Sequence, residues 1–261
     1  MSTTTLAAPI RVNTAGVHAR PGLGRLVAVE LRKMVDTRAG FWLQVAMVAL
    51  TVVVVVVRLL VGDAADHTFQ SVLDVGLQPA AVLLPVLGIL LVTSEWSQRT
   101  GLITFALVPV RSRVLGAKLI ASLLLATAML AISVAIVAAG VLVSSPGVAG
   151  TWSDAAPLIG QSAVYLTTGM VVGVAFGAIL LSAAPAIVLR FALPTAWMAV
   201  LSLPAFSGVA PWVDYAGAVG QMTAKVMSAP QWAHAGTSLA IWMVLPLLIG
   251  AWRITQREMA S

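Results

Sequence analysis

Apolar residues recur along this chain in long runs, and the polar residues gather in the short intervals between them. A helix needs roughly 20 apolar residues, within a range of about 17–25, to cross the hydrocarbon core of a bilayer. Six stretches are long enough: 40–61, 77–94, 115–143, 157–182, 186–206 and 235–252. Pro185, Pro194 and Pro204 punctuate the fifth, and in lipid such breaks survive only where protein or water re-satisfies the freed backbone groups.

Three segments outside the spans carry a helical period of their own. Residues 23–35 put Leu23, Leu26, Val27, Leu31, Met34 and Val35 on one face, with Arg25, Arg32, Lys33 and Asp36 opposite. That pattern predicts an amphipathic helix lying in the membrane interface. Glu30 falls on its apolar face, so it either snorkels to the headgroups beside Lys33 or meets a basic partner on another element. The connection between spans 2 and 3 begins with Glu95 and Arg99 at the favourable (i, i+4) spacing, continues through Leu102, Ile103 and Phe105, and stops at Pro109. It reads as a short amphipathic helix followed by the basic cluster Arg111, Arg113 and Lys118; the plainer reading is a basic loop that only sets topology. In 208–233, Trp212, Tyr215, Val219, Met222 and Val226 share a face, with Asp214, Gln221 and Lys225 turned away. This is an interfacial or re-entrant helix, or else a plain surface helix.

Composition agrees with the pattern. The chain is 60% hydrophobic and 9% charged, against roughly 25% charged residues in a soluble domain, and its mean hydropathy is +1.00. Water is not its main solvent. The formal charge of +6 would suit nucleic acid if it formed a patch, but the basic residues are dispersed between the apolar runs, so no nucleic-acid partner is expected. Of the 15 Lys and Arg residues, all but Arg58 and Lys225 fall in the tails and the 2–3 and 4–5 connections, while Asp63, Asp66, Asp74, Asp154 and Asp214 fall on the other side. By the positive-inside rule both termini are expected in the cytoplasm. Residues 1–21 read as a polar tail without a cleavable signal, and 22–261 as a single membrane domain.

The residue inventory narrows the chemistry. With no cysteine, disulfides, zinc–thiolate sites and cysteine nucleophiles are excluded. His18, His67 and His234 lack metal-ligand spacing, and no cofactor or metal is expected. The span interiors hold essentially no ionisable groups, Arg190 being placed in the 4–5 turn near the inner boundary, which argues against an intramembrane hydrolase or a proton-coupled carrier. No G-x-x-x-x-G-K-[ST] loop is present, so any ATP chemistry must come from a partner. Gly169, Gly173 and Gly177 form a small-xxx-small ladder that lets another helix approach closely.

The order of these features resembles the membrane (permease) subunit of type-2 ATP-binding cassette (ABC) exporters: an amphipathic helix containing Glu-Leu-Arg-Lys at 30–33, two spans, Glu95 and Thr100, then Pro109, Arg111, Arg113 and Lys118, a glycine-rich fourth span, a long segment before span 6 and a basic tail. The resemblance covers almost the whole chain. It implies an all-α integral membrane protein of a bacterial cytoplasmic membrane, paired with a second membrane subunit, identical or homologous, and energised by a cytoplasmic ATP-binding subunit. It also implies a cytoplasmic coupling helix between spans 2 and 3, docked in a groove of the ATPase, which assigns Glu95, Arg99, Thr100, Leu102, Ile103 and Phe105 to coupling. Glu30, Arg32 and Lys33 belong to the interfacial helix. A hydrophobic or amphipathic substrate suits the apolar spans. The competing reading is a stand-alone carrier, channel or assembly scaffold, which has no need of an amphipathic helix between spans 2 and 3.

Overall fold

The computed structural model of the chain describes residues 22–61, 67–97, 111–145 and 147–256. The coupling segment therefore lies largely outside the described residues.

Helix α1 (Leu23–Asp36) precedes α2 (Arg38–Leu60), the first span. Thr37 separates them in an extended conformation, and its hydroxyl accepts the Gly40 amide at 3.1 Å to cap α2. The corner is tight. A Cβ at Gly40 would stand 2.0 Å from the Met34 carbonyl oxygen, an oxygen that instead accepts from the Gln44 amide at 3.0 Å.

The second span is longer than its apolar run. Helix α3 (Phe69–Gly76) leads through Leu77 into α4 (Gln78–Ser97), so the apolar helix extends over Phe69–Trp96. Asp74 and its polar neighbours hide α3 in a hydropathy reading, but these groups are paired within the bundle. The Thr223 hydroxyl donates to Asp74 at 2.6 Å, and the Gln70 amide donates to the Ala224 carbonyl. Helix α5 (Arg111–Ser144) has 34 residues, about 50 Å at 1.5 Å per residue, and so outruns a core of about 30 Å.

Helix α6 (Ala155–Leu180) is the hub, buried continuously from Thr168 to Ala178 and packed most extensively against α4. The glycine ladder faces α4. A Cβ at Gly173 would fall 2.1 Å from the Pro85 carbonyl oxygen and one at Gly177 3.1 Å from that of Ile89, whereas at Gly169 the nearest atom, Pro85 Cγ, is 3.7 Å away. The close approach is intramolecular and centred on Gly173. Leu181, at φ 54°, turns the chain into α7 (Ala183–Leu201). This fifth span ends at Leu201 and not at 206; Pro194 stays inside the helix and Pro204 opens a separate 3-10 turn. Its buried residues Ala186, Arg190, Pro194 and Leu201 form one stripe.

After a short turn at Ala210–Val213 comes α8 (Tyr215–Ala224), then α9 (Ala229–Leu239), a π-helical stretch (Ala240–Val244) and α10 (Leu245–Gln256). Apart from Lys225, the residues of 208–233 thus include a helix that packs into the bundle: Tyr215, Ala218, Val219, Met222 and Thr223 of α8 are buried, chiefly against α6. Trp212 and Val226, expected on the same face, are exposed. Trp242 in the π stretch donates its indole N–H to the Val213 carbonyl at 2.9 Å.

Six helices are long and apolar enough to cross a membrane, and no strand occurs among the described residues. The chain is an all-α, multi-pass membrane protein. Residues such as Val53, Val57, Leu60, Val188 and Leu248 lie exposed on the peripheral helices, an arrangement suited to lipid, which makes no distinction between itself and an apolar side chain.

Candidate functional site

The buried face of α1 is Val27, Glu30 and Met34, so the carboxylate that breaks the apolar pattern sits at the centre of the packed surface. Of the two fates open to Glu30 in the sequence, the second is realised: the carboxylate is buried, so it does not snorkel, and it meets a basic partner on another element. Its Oε1 accepts from Lys33 at 2.8 Å on its own helix, and its Oε2 accepts from Lys118 of α5 at 2.7 Å. Glu95, near the end of α4, closes the figure: its Oε1 accepts from Lys33 at 2.7 Å and from Lys118 at 3.0 Å. The four side chains form an alternating, electrically neutral ring. Lys118 also donates to the Leu91 carbonyl at 3.1 Å, so its ammonium is fully engaged.

The side chains of Glu30, Glu95 and Lys118 are 5%, 6% and 4% exposed, and that of Lys33 is 36% exposed. Burial pushes the Lys33 ammonium down, but its bonds to Glu30 and Glu95 and their charges prevail and hold its pKa above the ordinary 10.5. A buried ion cluster adds little net stability over apolar packing, yet losing one member leaves an uncompensated charge and is severe. The ring is therefore a specific joint, three of its four side chains buried. It fastens three helices at one end of the bundle, and two of them, α4 and α5, flank the 98–110 segment. Beside it lies a cavity of about 300 Å³ between α1, α2 and α4, lined by Met34, Gly40, Leu87, Leu91 and Glu95 among others.

The Glu95 carboxylate is turned into the bundle toward two lysines, and its expected pairing with Arg99 lies outside the described residues. Arg99, Thr100, Leu102, Ile103, Phe105 and Pro109 lie outside the described residues. Arg32 is exposed on the far side of α1 and takes no part. Arg190 is not in the 4–5 turn: it sits in the second turn of α7, 7% exposed.

Two residues in structural roles were missed in the sequence. Lys118 read as one more topology-setting charge, although its place about two turns inside an apolar helix was a signal. Gln161 of α6 donates to the Met222 and Lys225 carbonyls at 3.0 and 2.8 Å and accepts the Met227 amide at 2.8 Å, fastening the end of α8 to the hub. Its signal was a lone amide within an apolar span. No protein-family model matches this chain, and no curated protein matches it significantly.

Proposed function

We propose that the chain is the permease subunit of an ATP-binding cassette exporter. It forms the export pathway with a second membrane subunit, identical or homologous, in a bacterial cytoplasmic membrane, and a separate cytoplasmic ATPase supplies the energy. The observation that carries this reading is the ring of Glu30, Lys33, Glu95 and Lys118. A membrane protein moved by an external ATPase needs a receiving element joined to its spans without slack. The ring joins the two helices that flank the 98–110 segment and ties both to α1, so a displacement of those helix ends loads three helices together. A loop that only sets topology has no use for such a joint.

The positive-inside bias puts the ring and both termini on the cytoplasmic side. The chain itself is not the enzyme in this reading, since no phosphate-cradling loop occurs in its sequence. The exposed apolar faces of α2 and α7 suit lipid and a second membrane subunit, and the apolar spans suit a hydrophobic or amphipathic substrate. The test is affinity purification of the tagged chain from native membranes, with Mg-ATP hydrolysis and transport followed in parallel. The wild type should bring down an ATPase; Leu102→Ala with Phe105→Ala should lose it or uncouple hydrolysis from transport while insertion stays normal. Full association and coupled transport in the double variant, or purification without any ATPase, would overturn the proposal.

A further inference from the structure

The buried charges at the α1 end are neutralised, but Arg190 has no carboxylate partner among the described residues. Its side chain is carried on the inward stripe of α7 between Ala186 and Pro194, and the residue is 7% exposed. Among the described residues no carboxylate lies within 4.0 Å of it. The polar bond given for it runs from Nη2 to the Tyr215 hydroxyl, at a long 3.3 Å, and the buried Nε has no partner. Its Cζ stands 5.1 Å from the Tyr215 ring centroid and 5.5 Å from that of Phe191. Aromatic faces attract a cation but offer no acceptor to the in-plane N–H groups of a guanidinium. A buried cation left in this state is costly in a membrane segment, where ionisable groups mark sites of function.

Arg190 also lines a cavity of about 240 Å³ enclosed by α4, α6, α7 and α8. Its inner wall is partly polar, with Tyr165 and Tyr215 beside the guanidinium, and partly apolar, with Leu166 and Pro194. Its rim includes Val82, 49% exposed, and the exposed Thr195, Ala216 and Gly220. The mouth thus opens between α4 and α7, on a surface where Val82 and Leu193 face outward. A molecule entering there meets apolar surface first and a planar, bidentate-capable cation at the end.

We propose that this cavity binds an acidic amphiphile, its phosphate or carboxylate head on Arg190 and its apolar part in the α4–α7 mouth. The site stands on its own geometry and holds whether or not the chain is driven by ATP. Guanidinium suits the head group because its N–H donors match paired oxygens, and at its outer end Nη2 is engaged only by the long bond to the Tyr215 hydroxyl. The volume takes a head group and the first part of a chain, not a whole lipid.

The test uses the full chain purified in a neutral maltoside detergent, with native mass spectrometry to count bound dodecyl phosphate. Dodecanol serves as the neutral amphiphile and inorganic phosphate as the free anion. The wild type should take one dodecyl phosphate per chain, half-saturating at a concentration at least tenfold below that for dodecanol. Arg190→Gln should raise that concentration tenfold or more. Ala216→Trp, which plugs the rim and leaves the guanidinium in place, should do the same and decides the matter if Arg190→Gln fails to fold. Equal binding of inorganic phosphate would keep the acidic-group site and identify its source as a free anion. Absence of binding, equal binding of dodecanol, or unchanged binding in both variants would overturn the proposal.

Discussion

Replacing Lys118 by methionine tests whether the ring is a dry joint. Methionine keeps the length and packing of the lysine stem but removes the ammonium that bonds Glu30 at 2.7 Å and Glu95 at 3.0 Å. Both carboxylates, 5% and 6% exposed, would then share Lys33 alone, and the site would carry a net negative charge in a low-dielectric setting. Breaking a buried pair by removing one partner costs about 3–5 kcal/mol. At about 2 °C or more per kcal/mol for a chain of this size, the unfolding midpoint of the purified protein should fall by at least roughly 6 °C, followed by tryptophan fluorescence in detergent. Trypsin should at the same time cleave faster after Arg25 and Arg32 as α1 comes loose. Adding Glu30→Gln to Lys118→Met restores neutrality and should recover much of the loss, so the two changes couple strongly in a double-mutant cycle. Lys33→Gln should cost far less, on the order of 1 kcal/mol, because more than a third of its side chain stays in water. If Lys118→Met is tolerated within about 1 kcal/mol, or Lys33 proves the more sensitive lysine, the ring is hydrated and the reasoning fails.

The remaining predictions concern the packing and the pH range of the same bundle. Gly173→Ala should sharply reduce the monodisperse yield on size exclusion, because its Cβ would meet the Pro85 backbone at 2.1 Å, whereas Gly169→Ala, with 3.7 Å of room, should elute like the wild type. Gln161→Leu leaves the Met222 and Lys225 carbonyls and the Met227 amide without their partner, at about 1–3 kcal/mol for each buried group; faster amide exchange confined to 222–227 would be the signature, and unchanged protection would refute it. The raised Lys33 pKa contributes stability that is complete below 10.5 and is lost as pH rises through the higher folded value. Thermal unfolding followed across alkaline pH should therefore show this contribution fading only above about 10.5, and Lys33→Gln should remove that step.

Much of the fold was legible because lipid imposes a simple rule: apolar length alone identifies a span. The spans whose ends were misplaced are those where polar groups find partners inside the protein. Asp74 and Gln70 read as loop residues because a hydropathy window prices every polar side chain as though it faced lipid, while here Thr223 and the Ala224 carbonyl answer them. Span 5 was drawn too long because Pro204, which opens a separate 3-10 turn, was read as a break within the span and not as the signal of its end. The site was half legible. Glu30 announced itself by interrupting an apolar face, but its partner Lys118 is 88 residues away, and a long-range pairing leaves no trace in periodicity. Glu95 was placed by its (i, i+4) match with Arg99, a local rule that says nothing of the two distant lysines its carboxylate meets. Arg190 was misplaced for a similar reason, since its aromatic neighbour Tyr215 belongs to a segment read as lying at the surface.

The contact of Gly173 with Pro85 fixes the middle of α4 on α6. Gln78, beside the Arg190 cavity, and Glu95, in the charge ring, stand at opposite ends of one helix, roughly 25 Å apart at 1.5 Å per residue. Pro85 lies between them, held by a backbone-to-backbone seat too close for a methyl group. The two arms are of comparable length, about 10 Å toward Gln78 and about 15 Å toward Glu95. The same seat continues past Pro85, with Gly88 against the Met170 carbonyl and Gly177 against that of Ile89. The charge ring and the Arg190 cavity are thereby carried on one helix that is clamped to the hub along its middle, so neither end of α4 can shift without disturbing a seam that admits no added methyl group.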